Sequence, residues 1–174
     1  MNILNGNEKD SESKIPRFFI AQHRYSCLCD KKHIEACLSI AKELREYFTE
    51  DAIETMGKDM KKHLLYIATD SSEVTGFMVI QHKNKYCAEI LWMAVKKKYH
   101  NQNVGSALIN HTAKELKSQD VRLLQVKTLS DNKYPPYEKT RRFYEKNAFI
   151  LLETIESYPK WDPGNPCAIY VKIL

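Results

Sequence analysis

The chain has 174 residues, enough for one domain with a sizeable core, and 43% of them are hydrophobic against 28% charged. A net charge of +5 suits a polyanionic ligand but is too weak to argue for DNA or RNA, and no stacking motif or basic helix adds to it. No apolar run approaches the ~20 residues needed to cross a bilayer, and the N-terminus lacks the apolar segment of a secretion signal.

Met1 to Pro16 is polar and reads as a loose tail, with the folded domain spanning 17–174. The five cysteines are an odd number without regular spacing. They fit a reducing, cytoplasmic setting, and Cys27-Leu-Cys29 does not have zinc-site spacing; no metal is expected.

Arg17 to His23 reads as the first strand. Asp30 is a candidate cap for a helix whose apolar residues, Ile34, Cys37, Leu38, Ala41, Leu44 and Phe48, recur every three or four positions. A shorter helix follows from about Asp51 to Lys62, with Ile53, Met56 and Met60 inward. Acidic residues at its start and lysines at its end agree with the helix dipole. Leu64–Thr69, Val74–His82 and Tyr86–Val95 read as strands joined by short turns, an antiparallel meander.

The stretch from Glu89 to Leu108 organises the rest. Ile90 to Val95 is an apolar strand, Lys96 to Asn103 is polar and basic, and Val104, Ala107, Leu108 and His111 restart helical spacing. A strand that feeds a helix through such a turn aims backbone N–H groups at one spot, where the helix dipole also favours an anion. Lys96, Lys97 and Lys98 read either as a source of added positive potential or as a solvated charge run. After this helix come a strand (Val121–Leu129), a helix opened by Tyr134-Pro-Pro-Tyr137 and two strands (Phe149–Ile155, Cys167–Ile173). A strand–helix–strand unit favours a parallel pair within the otherwise antiparallel sheet.

His100-Asn-Gln-Asn103-Val-Gly105-Ser106-Ala107 resembles the acyl-CoA turn of the GNAT superfamily of N-acetyltransferases, Arg/Gln-x-x-Gly-x-Gly/Ala. His100 stands where Arg or Gln is usual. Asn103 replaces the first glycine and, as Asn, tolerates a left-handed backbone. Gly105 matches the second glycine and is expected at the phosphate. Arg142-Phe-Tyr144-Glu-Lys-Asn-Ala148-Phe149 is similar to the superfamily's Leu/Phe-Tyr-Glu-Lys-x-Gly-Phe segment, with Ala148 in place of Gly. Tyr137 replaces an Asn common seven residues before the Tyr. The ending Trp161-Asp-Pro-Gly-Asn-Pro-Cys167 resembles a bacterial subgroup of unknown substrate.

The resemblance implies a single α/β (α+β) domain, with a mixed central sheet of about six to seven strands flanked by about four helices. It implies acetyl-CoA as co-substrate, with Met93, Ala94 and Val95 on the pantetheine arm and Asn101, Gln102, Asn103, Val104, Gly105 and Ser106 at the pyrophosphate. It implies a primary amine acceptor, small molecule or protein, for a monomer or homodimer. Glu89 takes the place of a Glu that accepts the amine proton in the histone acetyltransferase branch. Tyr144 takes the place of the general acid.

Period two puts Glu89, Leu91, Met93 and Val95 on one face, and burial beside Ile90 and Leu91 would raise the Glu89 pKa. The plainer readings are a solvated Glu89 or a partner for Lys83 or Lys85, and a core role for Tyr144. Tyr134 and Tyr137, on a long Pro-stiffened segment from Ser130, are expected to wall the acceptor mouth. A non-catalytic acyl-CoA-binding module on the same fold is the alternative.

Overall fold

In a computed structural model, residues 19–23, 28–130, 134–159, 161 and 163–174 are described. The polar 1–16 tail and residues 131–133 of the proline-stiffened segment lie outside them. The order is β1 (Phe19–His23), α1 (Leu28–Glu43), α2 (Glu50–Lys62), β2 (Leu64–Asp70), β3 (Glu73–Asn84), β4 (Cys87–Val95), a 3-10 turn (Lys97–Tyr99), α3 (Val104–Ser118), β5 (Leu123–Leu129), α4 (Pro135–Lys146), β6 (Ile150–Ile155) and β7 (Cys167–Ile173). The strands form one mixed sheet in the order β1-β2-β3-β4-β5-β7-β6, flanked by the four helices. Only β4 and β5 pair in parallel, as the strand–helix–strand unit requires; every other neighbouring pair is antiparallel. This is the expected α/β domain.

Two apolar layers cover the sheet. On one face Tyr66, Met78, Ile80 and Ile90 pack with Val104 and Leu108 of α3 and Tyr144 of α4. On the other, Cys37 and Ile40 of α1 and Ile53 and Met56 of α2 pack on Leu65, Ile67, Phe77 and Ala94. Ile53, Met56 and Met60 are buried as their spacing predicts.

Local chemistry sets the ends. Thr49 caps α2, its Oγ1 accepting from Ala52 N–H at 3.3 Å. Asn84 turns β3 into β4 by accepting the Tyr86 and Cys87 N–H groups at 2.8 and 3.0 Å. Two boundaries differ from the sequence reading. Helix α1 already contains Asp30, so that residue is not its cap. It also stops at Glu43, where tight i→i+3 bonds (Leu44 N–H to Ala41 O, Tyr47 N–H to Leu44 O) take over, leaving Tyr47 and Phe48 in the connection to α2.

Helix α4 ends in a Schellman motif. Ala148 N–H donates to Glu145 O and Phe149 N–H to Tyr144 O, both at 3.0 Å. This closure needs a left-handed residue after the cap, and Ala148 has φ +61°. The Phe149 ring packs edge-on to Tyr144 at 5.3 Å, the apolar contact that accompanies such closures.

Candidate active site

Strand β4 carries an extra residue. Val79 pairs with Trp92 and the next residue, Ile80, pairs with Ile90, so Leu91 is bulged. The bulge reverses the alternation beyond it. Ala88, Ile90, Met93 and Val95 lie on the α3–α4 face, and Leu91, Trp92 and Ala94 on the α1–α2 face. The expectation that Glu89, Leu91, Met93 and Val95 share a face is therefore wrong: simple alternation fails at a bulge.

The β4–β5 pairing stops at Ile90 with Val126, although β4 continues to Val95 and β5 to Leu129. Beyond that point the two strands lose their shared ladder, and the β5-facing side of Leu91 to Val95 has no strand partner among the described residues. This is the place where a ligand with amide groups can take up the backbone hydrogen bonds. One of these groups is already used: His100 Nε2 donates to Val95 O at 2.7 Å. Met93, on the same edge as Val95, remains for a pantetheine arm; Ala94, expected there too, pairs with Phe77 and turns its backbone groups to β3, as the alternate Lys96 N–H does to Thr75 O at 2.8 Å.

The turn below the splay has the geometry of an anion cradle. Asn103 (φ +63°) is left-handed, as expected for Asn in place of Gly, and Asn101 (φ +60°) is left-handed as well. Gln102 Nε2 donates back to Lys98 O at 2.9 Å. The first bond within α3 is Ala107 N–H to Asn103 O, at 2.9 Å. The N–H groups of Val104, Gly105 and Ser106 precede it, and neither the Asn103 side chain nor an acidic first-turn residue covers them. These features fit a pyrophosphate.

Two expectations about the cradle change. A Cβ on buried Gly105 would meet Phe143 Cζ at 2.9 Å and Met93 Cε at 3.2 Å. Gly105 thus lets α3 approach α4 and β4, and its missing side chain faces the interior. The lysine run is also not free potential. Lys96 and Lys98 bind the two oxygens of Glu73 at 2.9 and 2.6 Å, and Tyr99 Oη donates to Glu73 at 2.9 Å. Lys97 lies 3.9 Å from Glu46. Glu73, held to about 2 by these donors, pins the turn to the β2–β3 connection.

Glu89 is 4% exposed. Its Oε1 accepts from Lys127 Nζ at 2.6 Å, and its Oε2 from Gln125 Nε2 at 3.0 Å and Lys83 Nζ at 3.2 Å. Burial alone would push its pKa up, but Lys127, helped by Gln125 and Lys83, outweighs burial and holds the carboxyl below its ordinary range. The raised pKa expected from its apolar neighbours is corrected: the decisive neighbours come from β3 and β5. Lys83 had been a candidate partner; Lys85 instead lies over the Tyr86 ring. Lys127 was missed, since only the β4–β5 register brings it near Glu89.

Tyr144 is buried, its ring edge-on to Phe143 and Phe149. Burial pushes its phenol well above the usual range, so it stays protonated. Its hydroxyl has no hydrogen-bond partner among the described residues, which leaves the proton available to a ligand. Tyr137 joins a run of rings. It packs edge-on to Tyr47 at 5.7 Å, and Phe48 packs edge-on to Trp92 at 6.3 Å. Its Oη donates to Tyr47 O at 3.0 Å, while Trp92 Nε1 donates to Asp59 Oδ2 at 2.7 Å. This wall connects the start of α4 to β4 across the α1–α2 connection. Tyr47, Phe48 and Trp92 were not read as site residues in the sequence. Tyr134 is 51% exposed and has no ring contact among the described residues.

A bulged central strand splaying from its parallel neighbour above a helix N-terminus is the arrangement of an acetyltransferase fold. The family model of the acetyltransferase (GNAT) domain matches residues 61–151, just over half of the chain, and the chain belongs to that family. No curated protein sequence matches it. Solved structures with the same fold include a GNAT-family protein from Desulfovibrio desulfuricans (TM-score 0.75, 18% identity, 89% of this chain and 99% of that one). The ribosomal-protein-S18-alanine N-acetyltransferase of Escherichia coli is similar (TM-score 0.70, 18% identity, 90% and 93% covered). So is a GNAT family acetyltransferase from Elizabethkingia anophelis with acetyl-CoA bound (TM-score 0.67, 18% identity, 91% and 99% covered). No helix among the described residues is long and apolar enough to cross a membrane.

Proposed function

We propose that this chain is an acetyl-CoA-dependent N-acetyltransferase acting on a primary amine by direct attack. The observation that carries the reading is the end of the β4–β5 ladder at Ile90 and Val126, next to Glu89 and above the α3 N-terminus. Met93 would hold the pantetheine arm through its backbone, and the turn from Asn101 to Ser106 the pyrophosphate. Acetyl-CoA supplies the thioester carbonyl. A lysine-like amine at neutral pH must first lose a proton, at a cost of about 4–5 kcal/mol. Glu89, ionised beside the end of the ladder, would take that proton. Tyr144, protonated and without a hydrogen-bond partner among the described residues, donates to the departing sulfur.

The aromatic wall of Tyr137, Tyr47, Phe48 and Trp92 bounds the acceptor side, with Tyr134 at its open rim. The names of two relatives, a ribosomal-protein alanine N-acetyltransferase and an aminoglycoside 6'-N-acetyltransferase, support an amine on a protein or a small molecule. Free Cys37, Cys87 and Cys167 fit a reducing, cytoplasmic setting.

One observation favours the alternative, a non-catalytic acyl-CoA-binding module. Both Glu89 oxygens are already engaged, which weakens it as a base. Calorimetric titration with acetyl-CoA, followed by transfer assays over a panel of amines, separates the two. Saturable 1:1 binding with transfer that falls in Glu89→Gln and Tyr144→Phe supports the enzyme; binding without transfer supports the module. Absence of binding refutes both.

A further inference from the structure

One corner of the sheet carries an apolar patch that nothing among the described residues covers. Helices α1 and α2 pack on β2, β3 and β4 and reach no further. Beyond them, the register sets Leu123 of β5 beside Ile173 of β7, and Val171 of β7 beside Ile150 of β6. These residues alternate with Leu124 and Tyr170, which belong to the α3–α4 core, so they lie on the α1–α2 face. Ile173 is 74% exposed and Ile150 63%. Strand β6 is the last of the sheet, and its next residues, Leu151 and Leu152, are exposed as well, Leu152 to 64%.

Edge strands are ordinarily blunted by Lys or Pro. Ile150–Ile155 contains neither, and its one charge is Glu153. At about 100 Å² for each exposed aliphatic side chain, the patch is on the order of 500 Å². With its rim it approaches the roughly 800 Å² that each partner gives to a stable interface. The charges beside the patch fall at its two ends. Glu153, opposite Ile169, and Glu156 are exposed where β6 ends. Arg122 and Lys85 lie over the Tyr86 ring at the other end, where Leu123 N–H donates to Tyr86 O. None of these four charges is in an ion pair among the described residues.

We infer that this patch docks on the same patch of a second copy of the chain, about a two-fold axis that runs the two β6 strands antiparallel. A flat row of aliphatic side chains is complementary to itself, as a two-fold contact requires. The antiparallel arrangement brings Glu153 of each copy toward Arg122 of the other, whereas a parallel one would oppose like charges. The extra residue at Leu152 interrupts the outer ladder of β6, so side-chain packing and not a continued sheet holds the copies together. The contact does not depend on acyl transfer.

Sedimentation equilibrium of the full chain should give a dimer with Kd in the micromolar range or tighter. Ile173→Lys and Leu152→Lys each raise Kd by at least about tenfold, since the two-fold axis places every substitution in the contact twice. Both side chains are exposed, so circular dichroism should show an unchanged fold; should one variant unfold, the other decides. Phe19→Lys, at the opposite edge of the sheet, leaves Kd unchanged. Glu153→Lys and Arg122→Glu each weaken the dimer by about fivefold, and the double variant recovers it.

Four results overturn the inference. One is a chain that stays monomeric at millimolar concentration. Another is a monomer that dimerises only when residues 1–16 are deleted, which shows that the chain's own N-terminal segment fills the patch. A dimer indifferent to Ile173→Lys and Leu152→Lys forms through another surface. A dimer broken by them, in which the charge exchange recovers nothing, has another orientation.

Discussion

Replacing Ala148 by Gly should stabilise the protein. Ala148 sits at φ +61° in the Schellman closure of α4, the position where the family's motif carries Gly. A residue with a Cβ in that conformation costs about 1–2 kcal/mol. Gly removes this cost but gives the unfolded chain more freedom, which offsets about 0.5–1 kcal/mol. Ala148 is exposed, so its methyl group contributes little packing to set against the change. The net gain is about 0.5–1 kcal/mol, which for a domain of this size raises Tm by roughly 1–4 °C. Urea denaturation gives the free energy, and calorimetry gives Tm. The two bonds of the closure, Ala148 N–H to Glu145 O and Phe149 N–H to Tyr144 O, should keep their 3.0 Å lengths. Tyr144 should therefore stay in place, and acetyl-CoA affinity should not move. A neutral or destabilising Ala148→Gly would show that the left-handed strain at this position is not real.

Gly105→Ala should destabilise in spite of its helical position. The Cβ contacts at 2.9 Å to Phe143 and 3.2 Å to Met93 cost about 1–3 kcal/mol of overpacking, against about 1 kcal/mol of helix propensity gained. Adding Phe143→Leu should recover part of the loss in a thermal melt; additive losses would refute the packing role. Glu89 has a folded pKa depressed below its free value of 4.5, so its ion pairs stabilise fully above that value, and the contribution is lost as pH falls through the folded one. Wild type should exceed Glu89→Gln by about 3 kcal/mol near neutral pH in urea denaturation, with the gap closing below 4.5; a gap unchanged at about pH 3 would refute the pairing. Tyr137→Ala should raise the Michaelis constant for the acceptor and leave acetyl-CoA affinity unchanged, by calorimetry beside steady-state kinetics. Weakened acetyl-CoA binding alone would place Tyr137 on the cofactor side.

What could be read from the sequence was what lies close along the chain. Helical spacing placed Ile53, Met56 and Met60 in the core, because three- and four-residue steps fix one face without reference to any other element. The left-handed turn at Asn103 was legible for the same reason, since it follows from a residue's own backbone preferences. What could not be read depends on register. Leu91 carries no mark of a bulge: it is one more apolar residue in an apolar strand, and the mismatch exists only against Val79 and Ile80. That one extra residue separates Glu89 from the face of Met93 and Val95. The pairing of Glu89 with Gln125 across the parallel ladder then carries Lys127 to the same carboxylate. A residue-by-residue match to a family finds the carboxylate and says nothing of the charges around it. Those charges come from other strands, 6 residues away at Lys83 and 38 at Lys127, and they invert the expected pKa shift of Glu89. The ionisation of Glu89 is therefore set by the sheet, and removing the Lys127 ammonium should raise the pKa of that carboxyl as no change beside it in sequence would.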